Sequence, residues 1–207
     1  MSKGEVLSKK RGNLSVRSMV SVALCSAVSF VLFMLDFNLP IVPSFIKMDF
    51  SDLPALICAF TFGPIAGVLV ELIKNLLHLF FTSTMGVGEL SNFILGCALV
   101  VPAGLIYKRR RTRKTAVIGM LVGTVCFAAL GIFSNYCLIF PFYVKVMGFP
   151  MDAIVAMGTQ ISPILDSEFK LILLSVTPYN IVKGLVICLL TFLLYKRLRP
   201  IMRIDNR

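Results

Sequence analysis

The chain has 207 residues, of which 57% are hydrophobic and 15% charged, against about 25% charged in an ordinary soluble domain. With a mean hydropathy of +0.90 it is a membrane protein, and no polar stretch is long enough to build a second, soluble domain. The net charge of +11 does not point to nucleic acid, because 16 of the 21 Lys and Arg fall in residues 1–17, in KRRRTRK at 108–114 and in residues 196–207. Each cluster adjoins an apolar segment, which is the positive-inside pattern of cytoplasmic flanks.

In chain order, the first apolar run spans about residues 19–35. It follows a basic segment but lacks a small-residue cleavage site, and it is long for a signal sequence, so it reads as an uncleaved span with the N-terminus inside. FNLPIVPSFIKMDFSDLP, residues 37–54, carries three prolines, two aspartates and a lysine and reads as an outer loop. Residues 55–81 are apolar for too long to form one ordinary span, and FGPIAG at 62–67 supplies turn residues in the middle. A single span here would leave KRRRTRK outside, so charge places a break at Gly63 and Pro64. Further spans cover about residues 89–107, 115–140 and 171–195.

The reading is therefore an all-α integral membrane protein of six transmembrane helices with both termini cytoplasmic. A basic N-terminal segment (1–17) and a basic tail (197–207) flank a membrane domain (18–196). Seven of the ten acids then lie in outer segments. The half-helix near 53–62 is short for a span, so the first outer loop is expected to dip toward the bilayer. In the outer stretch 141–170 a short surface helix around 151–157 is placed to act as a lid.

Six cysteines (Cys25, Cys58, Cys97, Cys126, Cys137, Cys188) stand singly in apolar segments, without metal or redox spacing, and read as small buried hydrophobes. His78 is alone and reads as a packing residue or inter-helix donor.

Ionisable groups inside spans are costly and mark functional sites. The candidates are Glu71 and Lys74, Glu89 and Asn92, Asn135, and Asn180 with Lys183. Lys183 lies twelve residues before Tyr195, about 18 Å along a helix, too far to reach the inner surface of a core about 30 Å thick. Asn180 and Lys183 share a helix face, and Pro178 frees a backbone carbonyl just before them. Three spans thus bring amides, an ammonium and a carboxylate to one depth, which suits a neutral organic ligand better than an ion path. Each residue also has a plain structural alternative. Glu71 and Lys74 pair with each other, Asn92 and Asn135 join helices, Lys183 pairs with Glu89, and GVG at 86–88 is a helix-start turn.

FIKMDFSDLPALI (45–57), FGPIAG, ELIKNLLHLFFTSTMGVGEL (71–90), NYCLIFPFY (135–143) and TPYNIVKG (177–184) together resemble the riboflavin-specific substrate-binding subunit, or S component, of energy-coupling factor (ECF) transporters. The resemblance covers about residues 19–195. It implies a six-helix protein of the bacterial cell membrane that binds riboflavin from outside and delivers it inward. It also implies a partnership with a transmembrane coupling subunit and two cytoplasmic ATPases, and no cofactor beyond the transported vitamin. The chain has no GxxxxGK[ST] phosphate loop, in keeping with an external energy source.

Carried over by position, the resemblance implies ligand contacts from Glu89, Asn135, Asn180 and Lys183, with Gly86 and Asn92 beside them. It implies a cover over the ring system from Phe45, Met48 and Tyr179, the last a position where the family more often has Phe. Ala23 and Ala27 match a small-residue motif read by the coupling partner. The alternatives are an S component for a different vitamin and, from another class, an intramembrane hydrolase, for which HExxH and GxSxG are both missing.

Overall fold

The structure, a computed structural model, describes residues 16–202 apart from residues 41, 44 and 45, with side chains described through residue 194. Among the described residues the helices are α1 (Val16–Met34), α2 (Asp52–Phe62), α3 (Pro64–His78, prolonged by a 3-10 turn, Leu79–Phe81), α4 (Val87–Arg109), α5 (Arg113–Ser134), α6 (Phe140–Lys145), α7 (Met151–Thr159), α8 (Glu168–Leu171) and α9 (Thr177–Met202). A π-turn, Asn135–Ile139, carries α5 into α6, and another, Ile172–Val176, carries α8 into α9.

Among the described residues five stretches are long and apolar enough to cross a membrane: Val16–Met34, Pro64–Phe81, Val87–Arg109, Arg113–Lys145 and Glu168–Leu194. The sixth apolar helix, α2, has 11 residues and reaches about 17 Å, roughly half of a bilayer core. The break between α2 and α3 falls where the sequence puts it: Gly63 takes φ 100°, a left-handed conformation that glycine alone adopts freely, and Pro64 opens α3 at its first position, where its missing N–H costs nothing.

The described residues of 37–54 form more than a plain loop. A two-stranded antiparallel hairpin pairs β1 (Phe37–Asn38) with β2 (Lys47–Met48), so the all-α expectation misses one small element. Beyond β2 the chain does turn inward: Asp49, Ser51 and Asp52 are buried, and α2 starts at Asp52 with Pro54 in its first turn. The expected short helix is present as α7, whose Ile154 packs with Phe140, Tyr143 and Leu171.

α4 lies between α3 and α5, α5 also packs on α9, and α1 covers α2 and α3. The main core gathers Leu56, Val70, Leu99, Val100, Phe127 and Ile187 from five of these helices. Outside it, Val20, Leu24, Val28 and Val31 on α1 and Leu185, Leu189 and Leu193 on α9 are exposed. Such stripes are an aggregation hazard in water and the normal lipid-facing surface of a helix bundle. Residues 1–15 and 203–207, which hold most of the basic N-terminal segment and the end of the tail, lie outside the described residues.

Candidate functional site

Two adjoining cavities open beside the β-hairpin. The inner one, about 150 Å³, is lined by Asn135, Asn180 and Lys183 together with Phe127, Tyr143 and Tyr179. The outer one, about 360 Å³, is lined by Glu89, His78 and Asp49, by the hairpin residue Lys47, and by Ile154 and Met157 of α7. Lys47, Thr84, Gly88, Asn92 and Tyr143 line both, so the two are lobes of one site. The outer lobe alone falls in the range of about 300–1,000 Å³ found for small-molecule pockets.

Two prolines shape the inner lobe. A proline ring collides with the carbonyl four residues earlier and removes a backbone donor. For Pro141 that carbonyl belongs to Cys137, and for Pro178 to Leu174, each at the middle of a π-turn. The widened turn before α6 carries Asn135 itself. The other ends at Val176, so Asn180 follows within one helical turn. Asn135 donates its amide to the carbonyl of Gly131 at 2.8 Å. Gly131 also makes room for Asn180, since a Cβ there would collide with Asn180 Nδ2. Asn180 is 4% exposed, and its Nδ2 has no hydrogen-bond partner among the described residues, nor has Asn92 Oδ1. Buried polar groups are nearly always satisfied, so an orphan donor and an orphan acceptor in the walls of one site point to a polar ligand.

Lys183 is 4% exposed, in agreement with the depth argument. Its partner is not Glu89. The ammonium lies 2.7 Å from Asp49 Oδ2 and 3.7 Å from Asp52 Oδ2, because the first outer loop turns inward and reaches α9 before α4 does. Burial alone would raise the Asp49 carboxyl, but the Lys183 and Lys74 ammoniums, with hydrogen bonds from Lys183 and Ser51, outweigh it and hold it down to about 2. Glu71 and Lys74 are indeed paired, at 2.8 Å, but not in isolation. Lys74 also holds Asp52 and donates to Ser51 Oγ at 2.8 Å, so both lysines grip the same short segment of loop.

Glu89 accepts from Thr82 Oγ1 at 2.9 Å and lies 2.8 Å from His78 Nδ1. His78 in turn stacks on Phe33 of α1, ring centroids 3.9 Å apart and 17° from parallel, which bears out an inter-helix role. Gly86 is the N-cap of α4 at φ 87°, so GVG does open the helix as a turn. The Thr82 and Thr84 hydroxyls accept from the Gly86 and Gly88 N–H groups, each at 3.1 Å. Ser91 of α4 and Ser134 of α5 join their hydroxyls at 2.7 Å.

Tyr179 faces the inner lobe, and its hydroxyl donates to the Lys47 carbonyl at 2.7 Å, a use for the oxygen that a Phe would lack. Met48 packs with Val42 and Tyr179 behind the wall and not in it. Phe45 lies outside the described residues. Ala23 and Ala27 are both exposed on α1 and line neither lobe. Asp49, Lys47, Thr84 and Tyr143 are among the wall residues that sequence reasoning missed. The signal for Asp49 was within reach, since a lysine too deep to reach water calls for a carboxylate, and KMDFSDLP offers two.

The family model for the ECF transporter substrate-specific component matches residues 17–195. The chain belongs to this family. This S component is 32% identical to the riboflavin transporter RibU of Staphylococcus aureus (strain TCH60) over 182 residues, 88% of this chain and 90% of that protein. It is 32% identical to the riboflavin transporter FmnP of Bacillus subtilis (strain 168) over 190 residues, covering 90% and 94%. A solved structure described as the S component of a bacterial ECF transporter is similar in fold, with a TM-score of 0.71 at 32% identity, covering 90% of this chain and 98% of its own. Its family is one of transporter components and not of enzymes. The S component thus has a fold shared with its relatives.

Proposed function

We propose that this S component captures riboflavin from the outer side of the bacterial cell membrane, as a multi-pass protein. It releases the vitamin inward when joined to a transmembrane coupling subunit and two cytoplasmic ATPases. The observation that carries the ligand is the inner lobe, where the orphan amide donor of Asn180 stands with Asn135 and Lys183 among Phe127, Tyr143 and Tyr179. The pyrimidine edge of a flavin alternates carbonyl acceptors with an N–H donor. Asn amides supply both kinds of group and Lys183 supplies donors, while the aromatic walls suit a flat ring system.

The ribityl chain then runs into the outer lobe, where Glu89, Ser83 and Thr84 offer groups that bond hydroxyls. Asn92 borders both lobes, and Gly86 sets the turn that delivers Glu89. Phe45, Met48 and Tyr179 serve as cover and backing for the ring, with α7 closing the outer lobe through Ile154 and Met157. The names of the relatives support riboflavin over another vitamin. Ala23 and Ala27, exposed on α1, let a partner helix approach closely.

Protein purified in detergent from flavin-containing cells should be yellow, or should quench riboflavin fluorescence at a one-to-one ratio. A colourless protein that leaves riboflavin fluorescence unchanged, and is stabilised by another vitamin, would remove the ligand assignment and keep the family.

A further inference from the structure

We infer that Asp49 is a positioning residue for ligand recognition: it orients the Lys183 ammonium toward the flavin edge and cancels its charge, so that the site selects a neutral acceptor. The inference rests on the riboflavin reading above. Lys183 lines the inner lobe and Asp49 the outer, so their 2.7 Å contact stands at the junction where the ring system ends and the side chain begins.

The two oxygens of Asp49 divide their work. Oδ1 accepts from the Ser51 N–H at 2.9 Å and from Ser51 Oγ at 2.5 Å, which fixes the carboxylate plane. Oδ2 is left to Lys183. Ser51 is itself pinned, since its hydroxyl accepts from Lys74 Nζ at 2.8 Å and its carbonyl from Ser29 Oγ of α1, also at 2.8 Å. A line of fixed contacts thus runs from α1 and α3 through two loop residues to Lys183 on α9.

A lysine ammonium has three protons on a flexible stem. One is committed to Asp49, while Asp52 Oδ2 at 3.7 Å is beyond hydrogen-bond range and takes none. The remaining donors have a set direction before any ligand arrives, and preorganisation of this kind lowers the cost of binding. Charge follows the same logic. With Asp49 the Lys183 charge is balanced by a carboxylate in direct contact, matched to an uncharged carbonyl. Without it, the buried ammonium would keep only Asp52 Oδ2, at 3.7 Å and outside hydrogen-bond range, and would face the ring with its contact partner gone.

Riboflavin affinity, read by fluorescence quenching on monodisperse protein, is compared among wild type, Asp49→Asn, Asp49→Glu, Lys183→Met and Asp49→Asn with Lys183→Met. Binding to the wild type tests the ligand assignment by itself. On that footing, Asp49→Asn should weaken binding at least tenfold, Asp49→Glu should keep affinity within about fivefold of wild type, and the double variant should bind no worse than Lys183→Met, within threefold. Tenfold further loss in the double variant means that Asp49 acts on the fold or the ligand directly, and overturns the inference. So does an Asp49→Asn protein with wild-type affinity. If Asp49→Asn alone does not yield folded protein, the comparison between Lys183→Met and the double variant decides in the same way.

Discussion

Gly131 of α5 lies directly beneath the amide of Asn180 of α9, so close that a methyl group at 131 would occupy the space of Asn180 Nδ2. A residue with no side chain therefore sets where the ligand-facing amide can be. Gly131→Ala must push that amide aside, because Asn180 cannot retreat through the helix that carries it. Riboflavin affinity should fall about tenfold, or about 1.4 kcal/mol, with Asn180→Ala producing a loss of similar size. Titration of both variants checks this, and a Gly131→Ala protein with unchanged affinity would show that the Asn180 amide makes no ligand contact.

Lys183 and Asp49 form a buried pair, and removing one partner of such a pair leaves an uncompensated charge at a cost of about 3–5 kcal/mol. Lys183→Met should therefore lower the thermal unfolding temperature in detergent as well as weaken riboflavin binding at least tenfold. The folded fraction is measured separately by size-exclusion chromatography, so the two effects separate. Loss of stability with intact affinity would return Lys183 to a purely structural role.

Much of this site was legible because depth can be counted along a helix: the position of Lys183 before Tyr195 placed it beyond reach of the inner surface, and it is buried. The break at Gly63 was legible from charge topology, since only two segments there put KRRRTRK on the expected side. What sequence did not reveal was pairing across the loop. Asp49 is 134 residues from Lys183, and periodicity carries no information on which strand of a loop turns inward. The π-turns were half legible. Pro178 announced a freed carbonyl, but nothing local says whether a helix answers with a kink or with a widened turn. The β-hairpin was missed because its strands are two residues each, too short for an alternating pattern.

Lys74 lines neither lobe, is fully buried, and holds Asp52, Glu71 and Ser51 together. Lys74→Met removes from the interior the cation in contact with Asp52 and Glu71 and should destabilise the protein by about 3–5 kcal/mol. Adding Asp52→Asn and Glu71→Gln should recover part of that loss, read as the unfolding temperature. Riboflavin affinity of the folded fraction should change less than in Lys183→Met. A larger effect on affinity than on stability would place Lys74 in the recognition machinery.

Glu89 is held by His78 and Thr82, and the proposed orientation gives it the ribityl chain. Glu89→Gln keeps the shape and removes the charge on the acceptor, and hydrogen bonds to charged groups are worth about 1.5–3 kcal/mol against about 1 for neutral ones. Riboflavin affinity should drop three- to tenfold. Lumiflavin, with a methyl group in place of the ribityl chain, should bind wild type and variant alike. His78→Ala, which removes the stack on Phe33 and frees Glu89 to turn, should follow the same pattern. Equal losses for both ligands would put Glu89 at the ring and reverse the orientation of the vitamin in the two lobes.

Ala23 and Ala27 lie exposed on α1, four residues apart on one face. Large side chains there would hold a partner helix away, since close approach in membranes depends on small residues. The site itself is untouched, because neither alanine lines a lobe. Ala23→Leu with Ala27→Leu should therefore bind riboflavin with wild-type affinity while losing ATP-dependent uptake when co-expressed with a coupling subunit and ATPases. Copurification with the coupling subunit should fall in parallel. A variant that still transports at the wild-type rate would move the partner contact to another face of the bundle.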